Sequence, residues 1–237
     1  IGQPIGSFYA YKEDGLFQSE AEIKSYTNNK GELLQPNAKP GDIKFVDVNG
    51  DGVIDGNDRD YIGNPLPDVT AGLTLGVNFH NFDLSLFFQG MFGNDVYDLT
   101  RYVGDFYNQS QYNKNSRVVN AWTPTNTNTD IPRVTMDDPN NNIRPSSYYV
   151  QDASFVRLKN MKIGYSVPQS ILSKIKFNSL YIYAQATNLF TITGYDGIDP
   201  EVRLQSYSSD YRNLDMGVDR GIYPLSRTFT FGVNVSF

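Results

Sequence analysis

Cysteine is absent from this 237-residue sequence, histidine occurs once, and no apolar run approaches the length of a membrane-crossing helix. Each absence closes a class of function. Without cysteine there is no disulfide framework and no cysteine-based zinc or redox centre. With His80 as the sole histidine, serine–histidine catalysis and histidine-metal schemes lose their central member. Positive charge is also scarce, since 20 Lys and Arg stand against 26 Asp and Glu, for a net charge of -6. That balance argues against a nucleic-acid partner and against a basic patch for anionic lipid. The missing apolar run, about 20 residues for a helix, still leaves strands free to cross a bilayer, because they carry a much weaker signal. The chain begins at Ile1, with neither a charged n-region nor an apolar h-region after it, so we expect a piece of something longer.

What is abundant is aromatic. Tyr occurs 17 times and Phe 15 times, amid frequent Gly, Asn, Asp, Ser and Thr. This is the composition of an all-β protein with long polar loops.

The pattern along the chain sharpens that reading. Residues 1–42 are irregular and polar, with at most a short strand around Ser7 to Lys12, and "GDIKFVD" adds another. "VTAGLTLGVNF" (69–79) then sets Val69, Ala71, Leu73, Leu75, Val77 and Phe79 on one face, with polar residues and glycine on the other. "FDLSLFFQGMF" (82–92) repeats the alternation after two residues, which makes a hairpin. A strand over 154–166 changes phase partway, and a bulge near Asn160 would absorb the extra residue. Residues 168–178 form a short connection with room for one helical turn. Strands over 178–190 and 227–237 complete the set.

These strands run to 10–14 residues each, against five or six for an ordinary strand and about 9–11 for a tilted membrane strand. Their connections alternate between short (80–81, 168–178) and long (93–153, 191–225). Short turns on one side and long loops on the other is the outer-membrane barrel pattern, with long loops extracellular and, here, a periplasmic C-terminus. The expected organisation is an extracellular loop segment over 1–68 and barrel wall over 69–237. Five strands cannot close a barrel, and open edges in lipid would leave backbone groups unpaired, so the chain reads as the C-terminal part of a larger one.

Four blocks carry a resemblance: "GDIKFVDVNGDGVIDGNDRDYIGNPLPDVTAGLTLGVNFHNFDLSLFFQGMFGNDVYD", "AWTPTNTNTDIPR", "YYVQDASFVRLKNMKIGYSVP" and "YIYAQATNLFTITGYDGIDPEV", with the terminal "YPLSRTFTFGVNVSF". In consecutive order they resemble the late barrel region of the SusC/RagA-like TonB-dependent outer-membrane transporters of Bacteroidota. The resemblance implies a transmembrane antiparallel barrel of about 22 strands closed by an N-terminal plug. It also implies import of glycans or peptides, a SusD-like surface lipoprotein as lid, and TonB as the source of drive. The chain has no plug and no TonB box, so transport belongs to the parent rather than to this piece. No chemistry on the substrate is expected.

One motif stands apart from the strands. "DVNGDGVIDGND" (47–58) matches the EF-type calcium loop, with Asp47, Asn49 and Asp51 at alternate positions, Gly52 at the sharp turn and Asp58 at the twelfth place. Val53 would give its carbonyl, Asp55 would act through water, and Ile54 would anchor the loop. Asp58 replaces the usual Glu, and the flanks are not helical. The expected role is structural, a calcium staple before strand 69–79; the alternative is a solvated Asx-turn loop.

His80 falls in the two-residue turn. Asp137–Asp138 and Asp199–Glu201 are carboxylate pairs in loops, read as solvated surface because hydrolysis needs two carboxyls at a set separation in a cleft. Trp122, Tyr102, Tyr107 and Tyr112, with the tyrosines of 148–149 and 207–223, are candidates for substrate contact or for a loop's own packing. Tyr165 and Tyr181 read as girdle or interior packing. "TNTNTD" and "PNNN" read as flexible loop. Two other functions fit the composition: a soluble calcium-stabilised β-sandwich that binds carbohydrate, and a passive porin or adhesin barrel. A dockerin would want a second aspartate loop and helices, and neither is present.

Overall fold

A computed structural model describes residues 2–109, 112–175, 177–202 and 216–237. In chain order the elements are β1 (Phe8–Tyr11), β2 (Glu13–Leu16), α1 (Glu20–Ser25), β3 (Ile43–Phe45), β4 (Arg59–Gly63), β5 (Val69–Phe79) and β6 (Phe82–Phe92). There follow β7 (Asp95–Asp98), α2 (Thr100–Gly104), β8 (Val150–Asp152), β9 (Phe155–Ser166), α3 (Gln169–Ile175), β10 (Ser179–Thr187), β11 (Thr191–Thr193), β12 (Val218–Asp219) and β13 (Thr228–Ser236). The chain divides into two compact units. One comprises Ile1–Leu66, Asp95–Gln151 and Val202–Gly221, the other Pro67–Asn94, Asp152–Glu201 and Ile222–Phe237.

The second unit is an antiparallel meander in the order β13-β10-β9-β6-β5, with β11 laid back on β9. β5 and β6 pair along their whole length, from Val69 opposite Phe92 to Phe79 opposite Phe82. His80 makes the tight turn possible by taking a left-handed backbone conformation (φ 54°). Against β9, the register of β6 shifts between Phe87, opposite Asn160, and Phe88, opposite Leu158. Lys159 is therefore the extra residue, one place from where the change of phase put the bulge.

The cross-strand pairs sort the side chains into two faces. Leu75, Leu86, Met161, Ala186 and Phe229 lie in one row across the sheet, and so do Val77, Leu84, Ile163, Ala184 and Phe231. Ser85, Lys162, Gln185 and Thr230 form a row of the opposite face. The apolar face is bare, with Leu73, Val77, Phe229, Phe231 and Val233 all exposed. A soluble sandwich would bury such a face against a second sheet. Among the described residues, β5 and β13 each pair with one neighbour only.

β10 stops at Thr187, short of the expected 190. Asn188 turns left-handed (φ 50°), and β11 folds back with Thr191 opposite Arg157. The apolar "NLF" continues the strand-like composition past the turn, which is why composition overran it.

The first unit carries the buried core of what read as loops. Tyr11, Leu16, Ile43, Phe45, Phe106, Trp122, Ile143, Tyr148 and Tyr149 cluster together, and Phe17, Ile23 and Ala38 form a smaller group. "PNNN" is not the flexible loop expected. Asn140 and Asn142 are buried, and their amides pair the backbone of β3. Asn142 Oδ1 accepts from Ile43 N at 2.8 Å, Asn140 Nδ2 donates to Ile43 O at 2.9 Å, and Gln35 Oε1 accepts from Phe45 N at 2.8 Å. Side-chain amides thus stand in for a neighbouring strand, since a buried backbone group left unpaired is costly.

Candidate functional site

Three places could do something chemical. The first is the polar face of the meander. Lys162 lies over the rings of Tyr181 and Tyr183, at 5.0 and 4.8 Å from their centroids, and Tyr181 donates its hydroxyl to Asp83 at 3.0 Å. Room for these rings comes from two glycines. A Cβ at Gly164 would collide with the Tyr181 hydroxyl, and one at Gly232 with the ring of Tyr183. The tyrosines are packing residues of this face, as the strand pattern suggested for Tyr181. Tyr165 instead lies on the apolar face against Phe82, 4.6 Å between centroids.

The second place is the N-terminal end of β9. Arg157 is 2% exposed, yet its guanidinium is fully engaged. Nε donates to Thr191 Oγ1 at 2.7 Å, Nη1 to Glu201 at 3.0 Å and Nη2 to Asp199 at 2.5 Å. Lys159, the extra residue of the bulge, reaches the same Glu201 at 2.9 Å. Asp199 also accepts from the backbone N–H of Glu201 and of Leu225. Burial alone would raise its pKa, but Arg157 and these N–H donors hold the carboxyl below its ordinary value. A cavity of about 380 Å³ lies beside the cluster, lined by Phe190, Ile198, Pro224 and Arg227 among others. Asp199–Glu201 is thus an ion-pair anchor and not solvated surface. Asp138, of the other carboxylate pair, is likewise buried and accepts from the N–H groups of Asn142 and Ile143. The sequence signal for Arg157 was no more than a basic residue in an otherwise apolar run.

The third place is a larger cavity in the first unit, about 680 Å³. It is lined by Glu13, Asp14 and Gly15 of β2, by Thr127 to Asp130, and by Ser147, Tyr148 and Arg101 among others. Glu13 is fixed at both ends: its N–H donates to Ser147 Oγ at 3.0 Å, and its carboxylate accepts from Gly15 N at 2.6 Å.

The aspartate loop is ordered by its own backbone. Asp47 accepts from the N–H groups of Gly50 and Gly52, each at 2.8 Å, and Asp51 from that of Val53 at 3.0 Å. Asp58 is fully buried, and accepts from Val48 N (2.9 Å) and Asp55 N (2.7 Å), with Asn49 N farther off at 3.4 Å. Asp55 caps the short 3₁₀ turn Gly56–Asp58. The donors are all oxygens, as calcium requires. Among the described residues, however, no group of three or more His, Cys, Asp or Glu is drawn together as a metal site. Ile54 packs against the larger core cluster.

The aromatic candidates disperse. Trp122 is buried in the core, donating Nε1 to Gln18 at 3.0 Å. Tyr102 packs against the same core, Tyr107 lies under the Lys114 ammonium, and Tyr112 and Tyr223 are exposed. Tyr148 and Tyr149 are core residues. Tyr207 and Tyr211 lie outside the described residues.

No family model matches the chain. TonB-dependent receptor P3 of Formosa agariphila is 38% identical over 236 residues, all of this chain and 22% of the receptor. TonB-dependent receptor SusC of Bacteroides thetaiotaomicron is 27% identical over 240 residues, again the whole chain and 20% of that protein. Over its whole length the chain is similar to a stretch of SusC/RagA-like TonB-dependent receptors. Among solved structures, the RagAB peptide importer in its open-open state superposes with a TM-score of 0.68 at 23% identity, covering 100% of this chain and 23% of that one. Its closed-closed state gives 0.67 at 25% identity. The chain therefore spans about a quarter of the SusC/RagA-like proteins it matches. Its meander has the fold of a stretch of their barrels.

Proposed function

We propose that this chain is C-terminal barrel wall of an outer-membrane, TonB-dependent importer of glycans or peptides that works with a SusD-like lipoprotein. The observation that carries the reading is the open meander whose apolar face is bare and whose two edge strands each pair on one side only. In hydrocarbon an unpaired edge costs several kcal/mol per backbone group, so those edges call for further strands of the parent. The alignment along the full chain to TonB-dependent receptors supports the same reading. Closure at about 22 strands, long loops outside, a periplasmic C-terminus and contact with outer-membrane lipid belong to it. So does TonB, acting through the parent's other parts. The substrate passes without covalent change.

The test is the parent protein in its membrane. Intact mass and N-terminal sequencing of the receptor from detergent-extracted outer membranes should give a chain several times longer than this one. Deleting its gene should abolish TonB-dependent uptake of one nutrient class. A soluble mature chain starting at Ile1 would overturn the reading.

Calcium at 47–58 is part of the proposal. Its support is the spacing of Asp47, Asn49, Asp51 and Asp55 with the Val53 carbonyl. Asp58, at the twelfth place, also accepts from the backbone N–H groups of Val48 and Asp55 and so closes the loop. Calcium should slow proteolysis of the loop relative to chelator, and Asp47→Asn with Asp51→Asn should abolish the difference. Identical cleavage in both conditions would leave the solvated Asx-turn reading.

A further inference from the structure

We propose that the 680 Å³ cavity beside β2 is a binding site for a primary ammonium group, with Glu13 as its counter-ion. The inference rests on the importer reading for its physiological meaning, since the amine would belong to cargo.

The cavity's volume lies in the range that holds a drug-sized ligand. Its walls are mostly polar, with hydroxyl and amide groups from Thr127, Asn128 and Ser147. Such a lining suits a small hydrophilic guest.

The charges then select the guest. Asp14 is matched by Lys44 at 2.8 Å, and Asp130 by Arg117 at 3.3 Å. Arg101, which also lines the cavity, is matched by Asp98 at 3.5 Å and gives Nη1 to Tyr148 O at 2.8 Å. Glu13 has no such cation among the described residues. Its carboxylate accepts one backbone N–H, from Gly15, and keeps lone pairs to spare. Burial raises its pKa first; Asp14 and Asp130 add to the rise, against the Gly15 N–H. A cation placed in the cavity would offset the repulsion from Asp14 and Asp130 and favour the ionised carboxylate. An anion would add to that repulsion, and a neutral sugar would not offset it.

Position is fixed as well as charge. The Glu13 N–H is tied to Ser147 Oγ and the carboxylate to Gly15, so little conformational entropy remains to be lost when a ligand binds. The ammonium could come from a lysine-bearing peptide or from an amino sugar.

The experiment uses the full-length receptor in detergent and isothermal titration. The probes are N-acetyl-Gly-Lys-Gly-amide with its norleucine counterpart, and glucosamine with glucose. At least one amine should bind, at least tenfold more tightly than its uncharged counterpart. Which of the two binds tells the peptide source from the sugar source. Glu13→Gln should weaken that binding at least tenfold while leaving the melting temperature unchanged. If that variant does not fold, Thr127→Trp, at an exposed wall position, should block binding by filling the cavity. Failure of both amines to bind, equal binding of the uncharged probes, or undiminished binding by both variants would overturn the proposal. TonB-dependent uptake measured on the same receptor separates the two readings: uptake without amine binding removes this inference and leaves the importer standing.

Discussion

Arg157 and Asp199 meet across 42 residues of sequence with 2.5 Å between Nη2 and Oδ1, both buried. The pair fastens the segment after β10 to the wall strand β9. Lys159, Glu201 and Thr191 complete the fastening, and Tyr195 is buried within the segment it holds. Breaking a buried pair by removing one partner costs about 3–5 kcal/mol. Arg157→Met should therefore release the segment, and chymotrypsin should cut after Tyr195 in intact cells where the wild type resists. Arg157→Lys should be intermediate, because an ammonium cannot reach three acceptors in the geometry of the guanidinium fork.

Acid should loosen the same anchor, but late. The folded pKa of Asp199 lies below its ordinary value, so its stabilising contribution is complete above the unfolded carboxylate range, about 4. It is lost only as pH falls through the lowered folded value. Hydrogen exchange across 191–201 should be flat from pH 7 to 5 once intrinsic rates are divided out, and should rise only in strong acid. A rise near neutrality would contradict the assignment.

Asn142 should behave as backbone in disguise. Its Oδ1 accepts from Ile43 N, and its Nδ2 donates to Asp42 at 2.9 Å. Asn142→Leu has nearly the same volume but leaves the Ile43 N–H unpaired and takes a donor from Asp42. The cost of a buried group left unsatisfied is about 1–3 kcal/mol. The loss should appear as faster exchange of the Ile43 amide, with β5 and β6 undisturbed.

The two faces of β13 should differ sharply in a membrane. Phe231 belongs to the bare apolar face and Thr230 to the polar one. An arginine on the lipid face near mid-membrane costs about 2–4 kcal/mol, whereas one on the lumen face changes selectivity more than stability. Phe231→Arg in the full receptor should reduce assembled, heat-modifiable barrel, and Thr230→Arg should not. The reverse order would mean that the faces have been assigned the wrong way round.

Much of the meander was legible from alternation alone. Strands at 69–79 and 82–92 coincide with β5 and β6, and the change of phase near Asn160 marked the bulge to within one residue. Alternation failed where the backbone turned without a change in composition, at Asn188. It also said nothing about the polar stretches. "PNNN" has the composition of a flexible loop, yet Asn140 and Asn142 close the backbone bonds of β3. Trp122, singled out for its ring, lies in the core beside Ile143 and Tyr148. The aspartate loop was recognisable by spacing, but its twelfth residue, Asp58, turns inward to backbone donors.

The sequence by itself determined the long strands and their two faces, because side-chain direction in a strand repeats every second residue and needs only local information. Tertiary structure alone decided which carboxylate Arg157 meets, which strand Asn142 completes and that Glu13 lines a cavity with no ion-pair partner among the described residues. The partners of Arg157 and Asn142 lie 42 and 99 residues away, and no local period encodes a contact at that separation. What selects them is the cost of a buried charge or amide left unpaired, and burial exists only once the chain has folded.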